Sequence, residues 1–315
     1  MAFEEDLGYD PSQRMVQNYS LSATEIVSRT VSMWAQKLVQ YIIIVGIISA
    51  ACVLVSFLLL FALFSTIGTL GVDPISFLIG FLLDPLDDLT LIVVSLGFAI
   101  IAFVLNAIIY GSAIKFALDE YGGSGGNISR SFSRSFGRIL RVIIVQIILS
   151  FFVAIGFTPG TILAIRALDM IDISDPYNPI IQPGAFELLL SALGFIIVGG
   201  ILLIYLQVRF APTLAIVIDT DLSAIGSLSK SWELTRGNFF HVFGSYMLLI
   251  LAVFVLNLIV TVGLAFTPIS EDYSLVIESL VSALLFSSFN YIFVAVLYRD
   301  LVSRKGTTDL PEFVL

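Results

Sequence analysis

Six runs of apolar residues divide this chain into spans and polar connections, at roughly 38–64, 90–114, 139–158, 188–208, 240–266 and 276–298. About 20 mostly apolar residues in a helix cross the hydrocarbon core of a bilayer, so each run predicts a transmembrane helix. None of them carries Asp, Glu or Lys in its central third. Strands are excluded because an unpaired strand leaves backbone groups unsatisfied in lipid, and the runs lack the alternation of a barrel. The expectation is an all-α integral membrane protein. Its single membrane domain covers 21–305, between a polar N-terminal tail (1–20) and a short C-terminal tail (306–315). The first run follows about 37 polar and amphipathic residues and is too long for a signal-peptide core, so it reads as a retained span.

The connections contain an echo. "LSATEIVSRTV" (21–31) aligns without a gap to "LSAIGSLSKSW" (222–232), and "SRSF" (133–136) has the same Ser-basic-Ser-apolar core. "GFTPG" (156–160) and "AFTPI" (265–269) lie near the outer ends of the third and fifth runs. These echoes predict three parallel units, each an amphipathic helix followed by a transmembrane hairpin, with the middle unit shortened. At 100° per residue, Arg130, Arg134, Arg138 and Arg141 share one face of the 127–141 segment, opposite Phe132, Phe136, Ile139 and Leu140. Ile225, Leu228 and Trp232 share a face opposite Lys230, and Ile26, Thr30, Val31 and Trp34 make the apolar face of the first copy. Helices of this kind lie in the headgroup plane, with Trp34 and Trp232 at the depth that amphipathic aromatics favour. Generic anchoring is the expected role of Arg130, Arg134, Arg138 and Lys230; the sharper alternative is a specific phospholipid or partner site at the three arginines.

With six spans, both ends fall on one side. Fourteen of the 15 Lys and Arg residues fall on that side, leaving Arg166 alone opposite. The positive-inside rule then places both termini in the cytoplasm and the protein in the cell membrane. The outer connections are acidic, with Asp73, Asp84, Asp87, Asp88, Asp169, Asp172, Asp175, Glu187, Glu271, Asp272 and Glu278. Helix N-terminal acids and solvated loops account for them, "DP" at 73–74 and 84–85 fitting Asp as N-cap and Pro at the first helical position; the alternative is a cation-attracting vestibule. Between those turns, residues 75–83 are too short to span and read as an interfacial lid or a re-entrant helix.

Composition agrees: 58% of the 315 residues are hydrophobic and 12% charged, and the mean hydropathy is +1.03, whereas about a quarter of a soluble protein's residues are charged. The formal net charge of −9 is less informative here than how the charges are distributed. One cysteine (Cys52) and one histidine (His241) allow no internal disulfide and none of the usual zinc or haem ligand sets, so no cofactor is expected. "GGSGGN" (122–127) lacks a preceding strand and a P-loop lysine and reads as a hinge. His241 has no Ser, Cys or Asp constellation nearby in sequence, and no nucleophile set or carboxylate pair can be assembled, so enzyme activity is not expected. The polar residues at depth are Asn106, Gln146, Asn257 and Asn290, with Gln207 and Arg209 nearer the basic end. Interhelical hydrogen bonding is the expected role of the amides, a substrate site the alternative. Arg209, just before Pro212, is expected to snorkel or pair with Asp219 or Asp221.

One stretch carries a family resemblance: "LQVRFAPTLAIVIDTDLSAIGSLSKSWELTRGNFFHVFGSYMLLIL" (206–251). Arg209, the acids Asp219 and Asp221, Ser231-Trp232, Leu234-Thr235 and Gly237 resemble the bacterial and archaeal family named after glycerophosphoryl diester phosphodiesterase membrane domains. "VLYRDLVSRK" (296–305) is similar to that family's ending and "LSATEIVSRTVSMW" (21–34) to its opening helix. The resemblance implies a six-span fold. It carries over no phosphodiesterase activity and no catalytic residue, because in the enzymes that named the family the chemistry lies in a separate soluble domain. The expected function is a non-enzymatic scaffold or accessory subunit that binds membrane lipids, including anionic ones, or other membrane proteins, with no nucleic-acid partner. The alternative is a transporter or channel for a neutral or lipid-like substrate, which would bring Asn106, Asn257 and Asn290 together around a mid-membrane cavity.

Overall fold

A computed structural model describes residues 21–57, 89–172, 180–267 and 271–305. Both tails, residues 58–64 of the first span, the 75–83 segment with its Asp-Pro turns, and Asp73, Asp84, Asp87, Asp88 and Asp175 lie outside them. The described residues form helices α1 (Ala23–Gln36), α2 (Leu38–Phe57), α3 (Leu89–Tyr121), α4 (Ile128–Asp169) and α5 (Ala185–Phe210). They continue with α6 (Thr213–Asp219), α7 (Ala224–Thr235), α8 (Phe239–Ala265), α9 (Glu271–Leu285) and α10 (Phe289–Lys305). Six stretches are long and apolar enough to cross a membrane, which makes this a multi-pass membrane protein. An antiparallel pair of two-residue strands, β1 (Ile171–Asp172) and β2 (Ile180–Ile181), joins α4 to α5; the all-α expectation did not include it.

Helix starts follow capping chemistry. Ser22 and Glu25 form a reciprocal capping box at α1, Asn127 accepts from the Arg130 amide at α4, and Ser223 accepts from the Gly226 amide at α7. At the other end of α7, Gly237 takes φ +86° and stops the helix as its sequence position implies.

Two spans depart from expectation. The segment 127–141 is not a separate interfacial helix: α4 runs unbroken from Ile128 to Asp169, past Gly137 and through Pro159. The first copy breaks at Lys37 (φ −121°) and the third at Arg236–Asn238 around Gly237, but the middle copy has only Gly137, and a lone glycine weakens a helix without ending it. The sixth run is two helices, interrupted at Phe286–Ser288. There the Trp34 indole donates to the Leu285 carbonyl at 2.8 Å, which satisfies a carbonyl at the interruption. Gly46 lies so close to the Leu284 carbonyl that a Cβ would overlap it.

Helices α4 and α5 pack on each other through small residues. A Cβ on Gly199 would overlap the Gly156 carbonyl, and one on Gly160 would come within 2.7 Å of Ile196 Cγ1. In lipid, close backbone approach of this kind replaces the hydrophobic drive for helix association. Elsewhere these helices expose large apolar side chains such as Phe151, Ile197 and Val198. The buried core lies around α10, whose residues from Tyr291 to Leu297 are buried and which touches α1, α3, α6, α7 and α8. The stretch from Tyr291 to Leu297 is enclosed on all sides and apolar on all sides, so it shows no stripe.

Candidate functional site: an arginine cleft and an intramembrane cavity

The three segments linked by the echo bury small hydroxyl residues. Thr30, Ser135 and Ser231, which the echo aligns, are all fully buried. Each belongs to a helix resting on another: α1 on α10, the start of α4 on α3, and α7 on α5 and α6. Ser135 donates to the Ile108 carbonyl of α3 at 3.0 Å, and Ser231 to the Arg209 carbonyl at 2.8 Å, where Thr235 adds a second donor at 3.2 Å. Thr30 instead donates to Ile26, one turn back. The carbonyl of Arg209 lies just before Pro212, which interrupts the helix. Hydropathy reading passed over these contacts because serine faces count as polar and therefore as solvent-facing. Large apolar residues of these segments face outward: Phe136, Leu140, Ile225 and Trp232 are exposed.

An acid with a largely buried side chain lies near each of these junctions. Asp119, at the end of α3, binds Lys115 at 2.6 Å and Arg130 at 3.3 Å. Asp219, at the end of α6, lies 3.5 Å from Arg299. Asp300 in α10, with no exposed surface, accepts from the Leu21 amide at 2.7 Å, His241 at 2.9 Å and Arg304 at 2.9 Å. His241, read in sequence as having no neighbouring Asp, thus has one from 59 residues away. Arg209 pairs with neither Asp219 nor Asp221. Its guanidinium lies over the Trp232 ring at 4.8 Å and the Tyr205 ring at 5.3 Å, a stacking geometry that suits the planar cation.

Arg130, Arg134, Arg138 and Arg141 do line one cleft, of about 390 Å³, together with Ser133, Gly137 and Asp221. Their roles differ. Arg138, expected to face headgroups, is 4% exposed and turns inward. It donates to the carbonyls of Val217 (2.6 Å) and Thr220 and pairs with Asp221. Those carbonyls sit at the C-terminus of α6, where unpaired oxygens and the helix dipole attract a cation. Arg130 is tied to Asp119 and to the Gly125 carbonyl. Arg141 reaches Asp221 only at 4.0 Å, and its Nη1 has no hydrogen-bond partner among the described residues. Among the same residues Arg134 has no ion pair, only a long contact of 3.5 Å to the Ile218 carbonyl. Two cations of the cleft are therefore under-neutralised.

The remaining expected residues scatter. Trp34 is half-buried against Phe289, ring centroids 4.9 Å apart, rather than presented outward. Lys230 pairs with Glu233 on the surface. Asn106 is exposed, the Asn257 amide donates to the Val253 carbonyl one turn back, and Gln146 has a buried oxygen without a partner. Asn290 lines a cavity of about 360 Å³ with Gln207, while Asn257 lies in a separate groove beside Glu278. The three asparagines do not converge. What sequence reading missed is the aromatic wall of the Asn290 cavity, formed by Tyr110, Tyr246 and Tyr291; tyrosines in an apolar run carry no signal of their own.

Six membrane-length helices define a polytopic membrane protein with a basic cleft among its described residues. More narrowly, the chain belongs to the family described as "Domain of unknown function (DUF7847)", which it matches over residues 128–301. No curated protein matches the chain, and no solved structure matches it.

Proposed function

We propose that the protein is a non-enzymatic membrane module that holds anionic lipid at its cytoplasmic surface through the arginine cleft. The observation that carries this reading is the charge balance there: Arg130 takes one oxygen of Asp119 and Arg138 takes Asp221, which Arg141 reaches only at 4.0 Å and Arg134 not at all, leaving Arg134 and Arg141 for an external anion. In this reading α1, the start of α4 and α7 are a threefold device. α4 begins on α3, α7 rests on α5 and α6, and α1 returns to α10, so three units close into a ring whose basic end faces the cytoplasm. The exposed Phe136, Leu140, Ile225 and Trp232 sit in the interface below the headgroups. The resemblance to the glycerophosphoryl diester phosphodiesterase membrane domains fits a module of this kind acting beside other proteins.

The test is native mass spectrometry of the protein extracted in mild detergent from membranes containing phosphatidylglycerol. Arg134→Gln with Arg141→Gln removes two surface cations, about 2 kcal/mol near an anionic surface or roughly 30-fold in lipid retention. Arg138 stays, because it holds α6 in place. Retention of phosphatidylglycerol at the parent level by the double variant would refute the proposal.

A further inference from the structure

The cavity beside Asn290 has chemistry unlike that of the cleft. Leu149, Leu203, Leu206, Ile114 and Leu214 supply an aliphatic lining, and its polar atoms come from Tyr110, Gln207, Tyr246, Asn290 and Tyr291. Every polar group on this wall is neutral. A charged ligand would be stripped of water there with no counter-charge to meet it. The wall is also fixed in shape. Tyr110 meets Tyr291 edge to face at 4.6 Å, Tyr246 meets Phe293 at 4.7 Å, and Phe152 stacks flat on Phe210 at 6.0 Å. Tyr246 and Tyr291 are each 7% exposed. Neither Gln207 nor Asn290 spends its side-chain amide on another described residue, although both line the space.

A concave site of a few hundred Å³, mostly apolar with a few convergent hydrogen-bonding groups, is the usual form of a small-molecule site. The amides of Gln207 and Asn290 are exposed to this space, so each can both donate to and accept from a partner that is itself uncharged. We propose that this cavity binds a neutral single-chain lipid with a hydroxyl- or carbonyl-bearing head. The head meets Gln207, Asn290 and the tyrosine hydroxyls, and the chain lies along Leu149, Leu203 and Leu206. The site is independent of the arginine cleft, which takes charged headgroups.

Monoolein is the probe. Titrated into the full chain in mild detergent and followed by native mass spectrometry, it is expected to bind saturably at one molecule per chain. Leu206→Trp fills the space and is expected to abolish binding. Asn290→Ala and Gln207→Ala each remove one hydrogen bond and are expected to weaken binding about threefold to tenfold. Should L206W fail to fold, the Q207A/N290A pair decides, since both side chains are exposed and their loss leaves the buried contacts intact. R134Q/R141Q is expected to bind monoolein as the parent does. Absence of saturable binding, parent-level binding by Q207A/N290A, or displacement of monoolein by equimolar phosphatidylglycerol would overturn the proposal.

Discussion

Asp300 joins the two ends of the described chain, and removing it has a calculable cost. Its carboxylate has no exposed surface and receives the Leu21 amide, His241 and Arg304, while Arg304 also donates to the Leu21 carbonyl. Stripping one partner from a buried ionic cluster costs about 3–5 kcal/mol. The side chains of Arg304 and His241 are 26% and 17% exposed, so water relieves part of that penalty and the low end, about 3 kcal/mol, applies to Asp300→Ala. Asp300→Asn keeps an acceptor for the Leu21 amide and loses the charge; about 1.5 kcal/mol follows from the value of a charge-assisted hydrogen bond. The assay is denaturant titration in detergent micelles with Trp232→Phe as background, which leaves Trp34 in α1 as the sole tryptophan. In D300A the Trp34 emission is expected to shift red before the far-ultraviolet dichroism falls, because α1 comes off first. A D300A transition within 0.5 kcal/mol of the parent, or one in which both signals move together, would refute the clasp.

Three further outcomes follow from local geometry. Gly199→Val forces a side chain onto the Gly156 carbonyl and is expected to cost about 1–3 kcal/mol by overpacking; an unchanged melting curve would mean that α4 and α5 do not cross there. The Ser22 amide, donating at 2.7 Å, and then the Ser22 hydroxyl hold the Glu25 carboxyl below the usual glutamate range, with Arg29 acting the same way. A depressed folded value means that this contribution to stability is present above the ordinary glutamate range and is lost as pH falls through the folded value; carbon-detected titration of Glu25 should show this, and Ser22→Ala should raise the midpoint. Trp34→Phe keeps the contact with Phe289 but frees the Leu285 carbonyl, so a loss of about 1 kcal/mol is expected by denaturant titration.

The six apolar runs were legible because lipid demands length and hydropathy, and both are written residue by residue. The caps at Ser22, Asn127 and Ser223 act within three residues of themselves, but they emerged with the structure; of the helix ends only the stop at Gly237 was read from sequence. What hydropathy could not show was direction. The interruption at Phe286–Ser288 leaves the run apolar on average, yet it frees a carbonyl that Trp34 satisfies from 251 residues away. Arg138 shares a helical face with Arg130 and Arg134, and only the position of the α6 C-terminus turns it inward while Arg134 stays out. Asp119, Asp219 and Asp300 lie on three different helices with different local neighbours, and the shielding of their carboxylates appears only when the helices meet. The cavity was half legible: Asn290 was singled out as a polar residue at depth and Gln207 as one nearer the basic end, but the tyrosines completing the wall come from three helices.

In the proposed ring, α1, the start of α4 and α7 are built into the protein rather than afloat on the membrane surface. Hydrogen exchange at the amides from Ile26 to Thr30 tests it most directly. Both residues are fully buried, where α1 meets α10 and α8, so these amides should open only with the core of the bundle and exchange at the rate of α10. Exchange at least 100-fold faster in α1 than in α10, with the bundle otherwise intact, would contradict the ring.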